Sequence, residues 1–491
     1  MNRIGTATLG ILLAFATSLQ AQLAPELDAY IEKARTDWNV PGIGLTVVKD
    51  GKLLVAKGYG FRRHGAPERV DAHTMFDIAS LSKSFTAAAI ATLVDDGKMR
   101  WDDPVRRYLP TFELRDAYRS QNATIRDLLA HRLGLERGDH LFVFGNYPTA
   151  EIVRRMRYLD ELQGFRAGML YHNLGYAAAG EAAAAAGGMP FADLLRTRLI
   201  EPLGMRESTV AINHDVGVTN HADGHTINDG VLVPIRAKKA LNILGANAVN
   251  STPHDMAKWL LFQLGDGTWE GKRLISEAAM TEMHDPQVVI PTTAQMRAAR
   301  GVQFGAAYGL GWQVMDFRGH RMLWHSGGAD GMPTFMAILP DDKIGVAVMV
   351  NTWSAPTLHG AIASRIFDTL LGVKEPRDWA GQPPKPTPRE WPARIPDTKP
   401  SRPLDAYAGT YVDELYGDLA VTHDAGKLAL QFGGGEIGDL EHWHLDTFRL
   451  RWRDRAYDWA DALVAFALNA EGKPVRLDMR VGRHEVTGVR P

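Results

Sequence analysis

Phe76-Asp77-Ile78-Ala79-Ser80-Leu81-Ser82-Lys83-Ser84-Phe85-Thr86-Ala87 holds the one S-x-x-K spacing in the chain. At the start of a helix, positions i and i+3 share a face, so the Ser80 hydroxyl and the Lys83 amine can meet. The apolar residues that follow would keep the lysine partly dry. That lowers an amine's pKa and lets it accept the serine proton. A serine at a helix N-terminus also offers its own backbone N–H, helped by the helix dipole, to a developing oxyanion. The plain alternative is an N-cap serine without chemistry, because the spacing arises readily by chance.

Two further stretches bear on that choice. Leu170-Tyr171-His172-Asn173-Leu174-Gly175-Tyr176 is a Tyr-x-Asn ahead of a helical run. Tyr171 can act as proton acceptor or relay, and Asn173 can orient substrate and lysine. Taken alone, they read as an amphipathic wall residue and an N-cap. Trp324-His325-Ser326-Gly327-Gly328 reads as a strand ending in glycines. A substrate backbone can lie along such a strand, with Gly328 N–H as second oxyanion donor and His325 facing the cleft. Its plain alternative is a surface histidine beside a turn.

In this order the three stretches resemble the serine β-lactamase and penicillin-binding-protein superfamily, nearest the class C-like branch with family VIII esterases and D-aminopeptidases. Supporting stretches are Trp101-Asp102-Asp103-Pro104-Val105, Leu128 to Leu135, Pro202-Leu203-Gly204-Met205, Asp255 to Trp259 and Tyr308-Gly309-Leu310-Gly311-Trp312. The resemblance implies an α+β fold, an antiparallel sheet flanked by helices with an all-helical subdomain of the β-lactamase/transpeptidase type. It implies one cleft lined by Ser80, Lys83, Tyr171, Asn173 and the strand His325, Ser326, Gly327 and Gly328. It also implies hydrolysis through an acyl-enzyme, with no metal and no cofactor. His325 stands where β-lactamases carry the K-T-G lysine that helps hold the β-lactam carboxylate. A neutral imidazole is a poorer carboxylate anchor than an ammonium. A small peptide, amide or ester substrate is therefore expected first, making a peptidase, D-amino-acid amidase or carboxylesterase. A β-lactamase or cell-wall D,D-carboxypeptidase is the alternative, and a non-catalytic peptide-binding protein the third reading.

Outward from the motifs, Pro25 to Trp38 has helical periodicity, and Ile43 to Val48 and Leu53 to Tyr59 form a hairpin across Asp50-Gly51. Helical patterns follow at Ser84 to Asp96, Ile125 to Ala130 and Met256 to Leu264. Strand patterns return at Met322 to Ser326, Thr334 to Leu339 and Ile344 to Val350, and Thr357 to Leu371 is a final helix. The two ends of this part are expected to share one antiparallel sheet. Prolines crowd 374–402, read as an extended linker. Short runs at Tyr407 to Leu419, Lys427 to Phe432, Phe448 to Trp452, Leu463 to Leu468 and Val475 to Val481 predict a small all-β barrel or sandwich over 403–491. It is similar, more loosely, to the lipocalin-like domain appended to such hydrolases.

Lys+Arg at 55 against Asp+Glu at 57 in 491 residues speaks against nucleic-acid binding. With no cysteine, disulfides, thiolate metal sites and cysteine nucleophiles are excluded. Residues 1–21 read as a secretory signal peptide cut after Ala21, leaving 22–373 as the hydrolase part of a periplasmic or secreted protein with no membrane span after signal removal. The oligomeric state is left open. Glu136 to Phe144 is expected to border the cleft. His214, His221, Asp223 and His225 read as a polar loop, His442-Trp443-His444 as a solvated strand face, and Gly433-Gly434-Gly435 as a flexible turn.

Overall fold

The computed structural model describes residues 24–491 except 212–216, 229, 236–241, 295, 296, 298–302, 304, 384–388 and 483. The expected signal segment, His214 and the linker prolines at 384, 386 and 388 lie outside the described residues. Eight antiparallel strands form the main sheet, in the order Val288–Ile290, Ala306–Tyr308, Gln313–Phe317, His320–Ala329, Met332–Leu339, Ile344–Val350, Gly42–Lys49, Lys52–Gly60. The N-terminal hairpin thus joins the far end of the chain, with Val47 opposite Val346 on one side and Val55 on the other. Met332–Leu339 and Ile344–Val350 are buried along their whole length. Both faces of these strands are covered, which is why they read as continuous apolar runs rather than alternating ones.

Helices Pro25–Asp37 and Leu358–Leu370 cover one face, packing Leu27, Ile31, Ile362 and Phe367 onto Leu45 and Val346. On the other face lie Pro253–Leu264 and the helix that follows the nucleophile motif, Ser82–Asp95. That second helix is buried almost all round, as its unbroken apolar and small composition requires. Phe85 stacks on Trp259 with ring centroids 3.6 Å apart. A small sheet of Phe76–Asp77, Val249–Ser251 and Thr209–Val210 leads directly into the S-x-x-K turn. Among the described residues no helix is long and apolar enough to cross a membrane.

The C-terminal part is a closed eight-stranded antiparallel barrel, Gly409–Asp413, Gly417–Asp424, Lys427–Phe432, Ile437–His444, Thr447–Trp452, Ala462–Leu468, Pro474–Val481 and His484–Val489. Closure pairs Val412 with Val489. The run expected at Tyr407 to Leu419 is broken, because Asp413 Oδ1 accepts from the Leu415 and Tyr416 N–H groups and turns the chain there. Of strand Ile437–His444 the sequence reading gave only the end, His442 to His444, because Asp439 and Glu441 dilute the apolar alternation ahead of it.

The barrel is docked on the helical part rather than tethered to it. Phe144 stacks on Trp452 at 4.5 Å and 3° between planes. Glu436 N donates to Phe144 O at 2.8 Å, and Tyr147 OH donates to Tyr416 O at 2.7 Å. The Gly433-Gly434-Gly435 run serves this contact: a Cβ on Gly435 would lie 2.0 Å from Phe144 O. The expectation of a merely flexible turn is corrected accordingly. The polar loop expected at His221 to His225 is corrected at its end: His225 is buried and opens strand His225–Asn228, both its nitrogens engaged, with the His64 N–H and the Asn351 carbonyl, while His221 sets Nδ1 against the Val218 carbonyl.

Candidate active site

Ser80 sits in a single 3-10 turn, Ala79–Leu81, wedged between strand Phe76–Asp77 and helix Ser82–Asp95. Ala79 has φ +48°, a conformation costly for any residue with a Cβ. Asp77 Oδ1, accepting from Ala79 N at 2.7 Å, holds it there. The next strand leaves no slack, since a Cβ on Gly327 would fall 2.6 Å from the Ile78 carbonyl. Gly327 is therefore required where the nucleophile turn lies against the strand. Ser80 caps no helix; helix Ser82–Asp95 has no side-chain cap.

The hydroxyl is instead at the centre of a polar cluster. Lys83 Nζ donates to Ser80 Oγ at 2.9 Å, to Asn173 Oδ1 at 2.8 Å and to the Ala246 carbonyl at 3.2 Å. Tyr171 OH donates to Ser80 Oγ at 2.9 Å. Asn173 is free for this because His172 caps its helix, His172 Nδ1 accepting from Gly175 N at 2.9 Å. Asn173 Nδ2 in turn donates to Asp139 Oδ1 at 3.1 Å, and Asp139 is ion-paired with Arg137. Arg137 also lies 5.2 Å from the centre of the Tyr171 ring. Sequence reasoning placed the 136–144 segment at the cleft border but did not single out Arg137 or Asp139.

Burial separates the two proton-carrying groups. It pushes the Lys83 ammonium well below its ordinary range, with the Arg137 charge adding to the shift and Asp139 opposing it. Burial pushes the Tyr171 phenol upward, partly opposed by the Ser80 hydrogen bond and by Arg137. Groups so separated can divide the work: the amine takes a proton while the phenol keeps one to give. The arrangement can thus activate a hydroxyl as a nucleophile.

His325 is not where the sequence reading put it. It is 1% exposed, packed beside the Tyr171 ring with centroids 6.2 Å apart. Its Nε2 meets Tyr308 OH at 3.0 Å and its Nδ1 the Ser326 carbonyl at 2.7 Å. The carbonyl can only accept, so Nδ1 carries the proton and Nε2 accepts from the phenol. Burial, with the Lys83 charge nearby, pushes this imidazole down to about 3, so it is neutral at ordinary pH. The alternation of the strand and the aromatic wall of Tyr308 and Tyr171 account for the inward turn. Ser326 and Gly327 are half-buried beside Ala79, while Gly328 is exposed at the cleft. Trp353 lies against Gly328, where a Cβ would come within 2.4 Å of its ring. The barrel adds Tyr457 and Trp459 to the lining of the same cleft, which Ser80, Phe142 and Val143 also line. No signal in the sequence pointed to Tyr457 or Trp459.

With the geometry in view, comparisons with known proteins agree. Residues 27–371 match the Beta-lactamase family model, and residues 393–489 match a domain of unknown function, DUF3471. An unguisins hydrolase of Aspergillus campestris (strain IBT 28561) is 29% identical over 423 residues, spanning 79% of this chain and 75% of its own. The D-alanyl-D-alanine-carboxypeptidase/endopeptidase AmpH of Escherichia coli (strain K12) is 27% identical over 340 residues, 66% of this chain and 83% of its own. The octameric penicillin-binding protein homologue from Pyrococcus abyssi superposes with a TM-score of 0.61 at 23% identity, over 94% of this chain and 99% of that one.

Proposed function

The chain belongs to the Beta-lactamase family, and on that premise we propose that it is an exported serine hydrolase acting through an acyl-enzyme on a small peptide, amide or ester. The observation that carries the reading is the pair of 2.9 Å hydrogen bonds on Ser80 Oγ, one from a buried amine and one from a buried phenol. Neutral Lys83 keeps its two N–H groups on Asn173 Oδ1 and the Ala246 carbonyl, turns its lone pair to Ser80 and takes the Ser80 proton as Oγ bonds to the substrate carbonyl carbon. The N–H groups of Ser80 and Gly328 receive the oxyanion. Tyr171 protonates the departing nitrogen or oxygen as its bond to carbon breaks, and Lys83 returns a proton to Tyr171. Water then adds to the acyl carbon, Ser80 regains its proton, and the acid leaves. In this reading 22–373 carries the chemistry, 374–402 connects, and barrel 403–491 walls one side of the cleft. The composition of Met1 to Ala21 supports export to the periplasm or beyond.

Substrate class turns on His325. A neutral, fully engaged imidazole supplies no cation for a substrate carboxylate, which favours amides and esters without one over β-lactams and D-alanyl-D-alanine ends. The AmpH relative, named as a carboxypeptidase/endopeptidase, keeps the second class as the reading to test against. Intact-mass labelling with a fluorophosphonate should add one adduct to wild type and none to Ser80→Ala. Turnover of p-nitrophenyl esters and D-alanyl amides, with a penicillin left intact, is the expected pattern. A penicillin hydrolysed faster than either would reverse the substrate assignment. Turnover surviving in Ser80→Ala would remove the nucleophile.

A further inference from the structure

A second cluster of titratable side chains lies at the opposite end of the small three-stranded sheet. His73 precedes strand Phe76–Asp77, Glu207 precedes Thr209–Val210, and His254 follows Val249–Ser251. Antiparallel pairing of Phe76 with Ser251 and of Thr209 with Asn250 brings all three to the same edge. The other edge runs from Asp77 into Ser80, and from Val249 back to Ala246, whose carbonyl accepts from Lys83.

His73 Nδ1 is 2.7 Å from Glu207 Oε1, and His254 Nδ1 is 3.5 Å from Glu207 Oε2. The three ligand atoms lie within 4.8 Å of one another. His254 Nδ1 is shielded from solvent and has no hydrogen-bond partner among the described residues, so its lone pair is available to a cation. Each ligand is held from behind. Thr252 Oγ1 donates to Glu207 Oε2 at 2.9 Å, Glu207 N to Asp255 Oδ2 at 2.8 Å, His73 N to Asp71 Oδ1 at 2.8 Å and His254 N to the Ala72 carbonyl at 2.9 Å. Lys258 is occupied by Asp255 and so does not compete for Glu207. Bonds of about 2.1 Å to a common ion allow ligand atoms at most about 4.2 Å apart, so a small rotation of the 56% exposed His73 closes the set.

We propose that His73, Glu207 and His254 bind one divalent transition-metal ion, zinc being the best match to two imidazoles, a carboxylate and a water. Calcium and magnesium, which prefer all-oxygen shells, do not suit these donors. The ion clips three chain segments together behind the turn that carries Ser80. Its role is structural.

The test uses tag-free full-length protein stripped with a chelator, titrated calorimetrically with Zn2+ and followed by visible absorption with Co2+. One equivalent bound, tetrahedral Co2+ bands and a raised Tm are expected. His254→Ala and Glu207→Gln, checked for folding by circular dichroism, should each weaken binding at least about tenfold. His73→Asn, at the most exposed ligand, should do the same if the core of either other variant is disturbed. Absence of one-to-one binding by wild type overturns the proposal. So does equal affinity in well-folded variants, which would mark adventitious binding by surface histidines.

Discussion

Lys83, on the helix wall of the site, and His325, on its strand wall, are both buried bases beside the Tyr171 ring, yet they are wired to different ends. Burial lowers the proton affinity of each. Lys83 directs a hydrogen bond at Ser80 Oγ, a half-buried hydroxyl lining the cleft. His325 spends both nitrogens on Tyr308 and Ser326. Desolvation alone therefore does not make a base catalytic; what the nitrogen points at decides. In the proposed reaction one wall carries the proton transfer and the other fixes the strand that ends at Gly328.

Substitutions on the two walls should separate accordingly. Lys83→Met should lower kcat/KM for p-nitrophenyl esters by about 10^3-fold or more, close to the full value of a general base and about 4 kcal/mol of barrier. Tyr171→Phe, which keeps the ring and removes the phenolic proton, should cost about 10^2-fold, measured on amides with poor leaving groups. His325→Ala should behave in the opposite manner. It leaves the Tyr308 hydroxyl without its acceptor, so stability measured in urea should fall by about 1–3 kcal/mol. Its effect on the Ser80 labelling rate should stay within about threefold, since no transition-state contact is removed. If His325→Ala matched Lys83→Met in labelling rate, the contrast between the walls would be broken. Trp459→Ala, on the barrel side, should raise KM several-fold only for substrates with bulky acyl groups, seen by comparing acetyl with longer esters.

A separate effect concerns acid stability. Buried His140, His284 and His325 are pushed down to about 3, and His172 and His359 to about 4, each mainly by burial. Their folded values lie below the ordinary 6.5, so the unfolded chain binds more protons once pH drops below that. Their stabilising contribution is complete above about 6.5 and declines as pH falls toward 3 to 4, which urea midpoints at several pH values would record. A midpoint unchanged from neutral pH to pH 4 would show that these rings are not held neutral.

Much of this contrast could be read from the chain, and the rest could not for identifiable reasons. Ser80 and Lys83 are one helical turn apart, so their meeting follows from local geometry. Tyr171 and Asn173 flank a helix start and needed only the right fold to join them. The sheet was legible because Asp50-Gly51 and the runs at 332–350 are strong local signals. The inward turn of His325 was not, because it depends on Tyr308, a partner on a strand two places away in the sheet. Arg137 and Asp139 join the site by pairing with each other and with Asn173, and Tyr457 and Trp459 reach the cleft through barrel docking, contacts between distant segments that no short motif encodes. The His73, Glu207 and His254 cluster is likewise a product of strand pairing.

The direct test of the central claim is the rate at which a fluorophosphonate phosphonylates Ser80, with loss of fluoride, measured as a function of pH in wild type and Lys83→Met. The wild-type rate should rise with pH through an inflection well below the ordinary lysine value of 10.5 and then level, because only the neutral amine can take the proton. Lys83→Met should be slow and lack that inflection. A wild-type inflection near 10.5, or a Lys83→Met profile matching wild type, would contradict the account.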